Sequence, residues 1–105
     1  MSATTRVLLA TCPPAEAARI AEGLLERRLA ACVNALPGVV SRYRWKGKLE
    51  KDDETLLVIK TEASRVPDLI AALKELHPYE VPELLSLPVE DGNGDYMAWV
   101  KAETR

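Results

Sequence analysis

A strand that buries one face and wets the other alternates apolar and polar residues. The run Leu56-Leu57-Val58-Ile59 does not alternate. Leu56 and Val58 point one way, Leu57 and Ile59 the other, and both pairs are apolar. Val7-Leu8-Leu9-Ala10 has the same character. A sheet built from these runs must be covered on both faces. Neither run is long enough to span a bilayer, so the reading is a protein core and not a membrane segment.

The remaining pattern says what covers one face. Ala17, Ile20, Ala21, Leu24, Leu25 and Leu29 recur at helical spacing behind Pro13-Pro14, with Glu16 in the first turn, which predicts a helix over residues 14 to 30. A second stripe runs through Val66, Leu69, Ile70, Leu73 and Leu76. Ser64 is its expected N-cap, and His77-Pro78 stops it. Between the helices, Cys32 to Leu36 is a strand that Pro37-Gly38 should bend. Beyond the bend, Val39, Ser41, Tyr43 and Trp45 share one face, and Val40, Arg42, Arg44 and Lys46 the other. Lys46-Gly47 predicts a tight hairpin turn. The return strand runs from Lys48 through Thr61, and the acidic stretch Glu50 to Glu54 reads as a bulge or frayed edge. Pro82 to Val89 predicts a fourth strand, and Asp95 is the expected cap of a short last helix carrying Tyr96, Met97, Trp99 and Val100.

The order is β-α-β-β-α-β plus a terminal helix. That is the α+β, ferredoxin-like sandwich with a long central hairpin, one domain over residues 1–105. Two long helices cover one sheet face only. The other face is apolar too, and soluble monomers seldom expose such a patch. A helix of about ten residues hides only part of it, so the pattern predicts self-association.

A net charge of -2 argues against nucleic acid as a partner. Arg42, Arg44, Lys46 and Lys48 beside Tyr43 and Trp45 raise RNA stacking, but the central strand offers Leu56 to Ile59 where that fold needs aromatics. The chain has two cysteines, Cys12 and Cys32, few for a secreted domain of this size, and an N-terminus without an apolar leader core. Both features point to the cytoplasm. A disulfide between the two is not expected, because the first helix separates them.

His77 is the only histidine, with Glu80 and Glu83 close by in sequence. It reads either as a divalent-metal ligand or as a residue closing the helix C-terminus. Cys32, among apolar residues, reads as a buried thiol or a soft-metal ligand. Cys12, at a strand-to-helix turn, is the more reactive thiol on position alone. There is no Cys-x-x-Cys pair and no glycine-rich phosphate loop, and spacing places no nucleophile against a base. The chain is therefore not read as an enzyme.

Arg28-Leu29-Ala30-Ala31-Cys32-Val33-Asn34, Pro37-Gly38, Trp45-Lys46-Gly47-Lys48-Leu49-Glu50, Ile59-Lys60-Thr61, His77-Pro78-Tyr79-Glu80-Val81-Pro82-Glu83, Leu87-Pro88-Val89 and Tyr96-Met97-Ala98-Trp99 span nearly the whole chain. In this order they resemble the CutA family of divalent-cation tolerance proteins. The resemblance implies a homotrimer similar to the PII signalling proteins and an association with copper or another divalent cation. His77 lies on the family's His-Pro-Tyr motif, to which copper ligation is attributed in some members. Ala10 and Leu76 stand where some members carry a cysteine and a second histidine, so binding should be weak. The implied site is a cleft between subunits, with His77, Glu83 and Cys32 as metal ligands and Tyr79, Lys60 and Trp45 lining it. The alternatives are a trimeric platform anchoring a partner protein, or an enzyme using His77 and a carboxylate at the subunit boundary.

Overall fold

In the computed structural model, which describes residues 4–105, the two non-alternating runs lie side by side and antiparallel. Leu8 stands opposite Ile59 and Ala10 opposite Leu57, so their inward sets point the same way. These strands are Thr5–Cys12 (β1) and Lys48–Glu62 (β3). Cys32–Trp45 (β2) flanks β3, and Leu85–Pro88 (β4) flanks β1, giving the antiparallel order β2-β3-β1-β4. Helices Ala17–Glu26 (α1) and Val66–Leu76 (α2) cover one face, and Gly94–Glu103 (α3) ends the chain. The ferredoxin-like α+β layout holds.

The core follows from the periodicities. Leu8, Leu57 and Ile59 from the sheet are fully buried against Ile20 and Leu24 of α1 and Leu69 and Leu73 of α2. Each such side chain contributes about 1.5–3 kcal/mol on leaving water.

Several boundaries differ from the sequence reading for identifiable reasons. Residues 14 to 16 form a separate 3-10 turn, and α1 ends at Glu26 rather than residue 30. Arg28 takes a left-handed conformation (φ 56). Its N–H then bonds Leu25 O at 3.0 Å and the Leu29 N–H reaches Leu24 O at 3.0 Å, a Schellman closure that tucks Leu29 into the core. Ser64 caps nothing; it sits inside a 3-10 turn, Ala63–Arg65, that leads into α2. Asn93, not Asp95, caps α3, its side chain accepting from the Asp95 N–H at 3.0 Å. β3 passes unbroken through the acidic stretch, and the irregularity lies across from it, between Leu36 and Val39, where Gly38 has φ 81. The hairpin turn is built on Lys46 (φ 49) and Gly47 (φ 80), the double left-handed geometry whose twist suits a two-residue loop.

The second face is partly covered from within. Cys32, Asn34 and Lys60 point away from α1 and α2, and Tyr96 of α3 meets Cys32 there. Val100 is fully buried but outside the α1–α2 core, as a helix packed on that second face requires. Beyond α3 the face stays open: Leu36, Leu85 and Leu87 are all exposed. β1 pairs β3 only over Thr55 to Glu62. Residues 39–54 therefore project as a two-stranded arm, and the molecule measures 45 × 26 × 23 Å. Among the described residues no helix is long and apolar enough to cross a membrane.

Candidate functional site

The arm and the loop after α2 enclose an open groove of about 700 Å³. Strand alternation puts Ser41, Tyr43 and Trp45 on the arm's side of it. Across from them stand Tyr79, Glu80 and Glu83, with Glu54 and Thr11 at the base. The loop leaves α2 where it does because His77 precedes a proline, which forbids helical geometry; its backbone is extended (φ -82, ψ 136).

His77 is 7% exposed, and both its ring nitrogens are engaged. The Tyr79 N–H donates to Nδ1 at 3.1 Å, so Nδ1 carries a lone pair and no proton. Nε2 must then carry the hydrogen, and it donates to Thr11 O at 2.8 Å. The ring ties the loop to the end of β1 and lies 4.7 Å from the Tyr79 ring. Tyr79 reaches further, its hydroxyl donating to Glu54 Oε2 at 2.9 Å. Burial, and then that bond to Glu54, holds the Tyr79 phenol far above its ordinary range. On the arm, the Tyr43 hydroxyl donates to Asp52, and this bond pushes its pKa up to about 12. Three aromatic rings and the carboxylates of Glu54, Glu80 and Glu83, set against Arg42 alone, make the groove acidic and amphipathic.

Of the residues singled out in sequence, Trp45, Tyr79 and Glu83 line the groove, and His77 stands behind its wall. As arranged here, His77 offers a metal no free lone pair. Cys32 and Lys60 lie elsewhere. They face each other across β2 and β3, with Lys60 Nζ bonded to Asn34 and 4.0 Å from Cys32 Sγ. Thr11, which receives His77, is opposite Leu56, four residues or about 13 Å along β3 from Lys60. Within one chain Cys32 therefore shares no site with His77 and Glu83. Among the described residues no group of three or more His, Cys, Asp or Glu is arranged to hold a metal ion. Cys12 is not the reactive thiol its position suggested. It is fully buried in the core, and burial first, then Glu54 and Glu16, raise its pKa. It lies on the helix side of the sheet and Cys32 on the other, so the two cannot pair.

Glu54 was hidden in an acidic run that read as a bulge or frayed edge, yet it is 4% exposed. The signal that could have found it is its place where the acidic run meets the apolar one, opposite Val39.

A four-stranded antiparallel sheet with α1 and α2 on one face, and an acidic groove beside a projecting hairpin, define a ferredoxin-like α+β protein whose candidate site is that groove. The sequence profile of the CutA1 divalent ion tolerance protein matches residues 6–103, and the chain belongs to this family. A CutA homolog from Xenopus laevis is 55% identical over 86% of this chain, which spans 60% of that protein's length. The divalent cation tolerance protein of Thermus thermophilus superposes with a TM-score of 0.93 at 45% identity, covering 96% of this chain and 99% of that one. The PII-like protein CutA from Nostoc sp. PCC 7120 gives 0.90 at 36% identity, covering 95% and 97%.

Proposed function

We propose that the chain acts as a homotrimeric, non-catalytic divalent-cation binding protein of the cytoplasm. One observation carries the oligomer: after α3 has packed, Leu36, Leu85 and Leu87 still form an open apolar strip beside Leu56 and Val58. Copies packed on that strip would remove it from water and bring second-chain groups to the arm and the groove. Membership of a divalent ion tolerance family supports cations as the ligand. Copper(II) binds nitrogen and oxygen sites most strongly among divalent first-row ions, so it is the cation proposed here. Binding is weak, because the imidazole of His77 must first release the Tyr79 N–H from Nδ1. The groove carboxylates Glu80 and Glu83 supply the initial attraction, and Cys32 can join only from a second subunit.

Isothermal titration with copper(II) tests this reading. Saturable binding that His77→Ala weakens about tenfold or more, in a protein that stays trimeric by light scattering, supports it. Equal affinity in both proteins removes His77 from the site. A second reading, a rigid platform for a partner protein, is favoured by Leu49, 78% exposed beside the tip of the arm; it comes to the front if copper does not bind saturably.

A further inference from the structure

At the base of the groove Glu54 is 4% exposed, yet it lines the open volume. Its two carboxylate oxygens differ. Oε2 accepts from the Tyr79 hydroxyl at 2.9 Å. Oε1 takes no hydrogen bond among the described residues, and it is not one of the atoms sealed from water. The free oxygen of a nearly buried carboxylate therefore opens on the groove. Among the described residues no Lys, Arg or His forms an ion pair with it. Arg42 lines the same groove and still makes no such contact.

A carboxylate buried this far is ordinarily paired, so the occupant that completes the site is cationic. The rest of the lining says which kind of cation. The phenol protons are spent, that of Tyr43 on Asp52 and that of Tyr79 on Glu54, which leaves the two phenol oxygens to accept. An anion would find Arg42 alone to meet it and three carboxylates against it. A bare metal ion needs several converging ligands, and the described residues hold no such group. An ammonium group brings donors and no acceptor, which suits a site of free acceptors. Tyr43, Trp45 and Tyr79 add ring faces, and the chain's own Lys46 already lies over the Trp45 ring at 5.6 Å, so this ring is placed to meet a cation. At about 700 Å³ the groove has the size of a small-molecule site, with room for an apolar body behind the charge.

We propose that the groove binds a primary alkylammonium ion. Its N–H groups donate to Glu54 Oε1 and to the Tyr79 hydroxyl oxygen, and its hydrocarbon body lies against the rings of Tyr43 and Trp45. This goes beyond the copper reading and does not rest on it, since it uses no lone pair of His77 and needs no metal.

The test is a proton–nitrogen NMR titration of the full chain with n-butylammonium, with n-butanol and tetramethylammonium as separate arms. A metal chelator is present throughout, so that failure here and failure of copper binding are separate results. Butylammonium should shift the Glu54 and Tyr79 amides and the Trp45 indole N–H saturably. Butanol keeps the hydrocarbon and loses the charge; tetramethylammonium keeps the charge and has no N–H. Each should bind about tenfold more weakly or not at all. Glu54→Gln keeps the shape and an acceptor for Tyr79, and should weaken butylammonium by about the same factor. No saturable response to butylammonium overturns the proposal. So does butanol binding as tightly, which would leave an apolar groove only, or tetramethylammonium binding as tightly, which would remove the hydrogen bond to Glu54. Unchanged butylammonium affinity in a folded Glu54→Gln protein overturns it equally.

Discussion

β3 runs through two different environments. Its second half, from Thr55 to Glu62, has β1 on one side and α1 and α2 beneath, and Leu57 and Ile59 are sealed from water. Its first half pairs only with β2, in an arm where Tyr43, Trp45 and Leu49 are exposed. A two-stranded ribbon is marginal alone in water. The arm's own fastenings, Tyr43 to Asp52 and Lys46 over the Trp45 ring at 5.6 Å, are solvated and worth little. What steadies its base is Tyr79, reaching from the loop to buried Glu54. One continuous strand can thus be core at one end and a solvent-exposed arm at the other, depending on what packs beside it.

Substitutions on adjacent residues of β3 break this comparison most sharply. Leu57→Lys puts an unpaired charge among α1 and α2 and should abolish the fold, read as loss of a cooperative melt by circular dichroism. Val58→Lys points to the second face and should keep the melt while shrinking the oligomer by light scattering. If both variants keep the size of the parent protein, the account of the second face is wrong.

Next in size is the loop that supports the arm. His77→Ala removes two hydrogen bonds from a buried ring and should cost about 2 kcal/mol, visible in a chemical melt, with faster exchange at the Tyr79 amide. Tyr79→Phe leaves Glu54 Oε2 without its donor and should cost about 1–3 kcal/mol. Tyr43→Phe removes a similar bond from the solvated arm and should leave the midpoint unchanged. Equal losses for the two phenylalanine variants would mean that the base and the arm are one environment.

The smallest effect is spectroscopic. A phenol whose folded pKa is raised lends stability that is complete below its ordinary value near 10 and lost as pH climbs through the folded value. Tyrosinate absorbance should show the Tyr43 step near pH 12 and the Tyr79 step later, with Tyr43→Phe deleting only the earlier one. A Tyr79 step at or below that of Tyr43 would contradict the burial of the Tyr79–Glu54 pair.

Local periodicity alone determined both long helices, the turn at Lys46-Gly47, the bulge at Pro37-Gly38 and the two apolar faces of β3, because each is written in residues a few positions apart. The family resemblance, and not periodicity, brought Trp45, Tyr79 and Glu83 forward as site residues, and all three line the groove. Tertiary structure decided the rest. Ser64 looks like a cap until the 3-10 turn absorbs it, and Cys12 looks reactive until the core closes over it. His77 looks like a free ligand until Thr11, 66 positions away, takes its Nε2 hydrogen. Glu54 looks solvated until Tyr79, 25 positions away, covers it. Whether a polar atom is free or spoken for depends on a partner that the fold, and not the neighbouring sequence, brings within bonding distance; hence the elements could be read along the chain while the state of each candidate ligand could not.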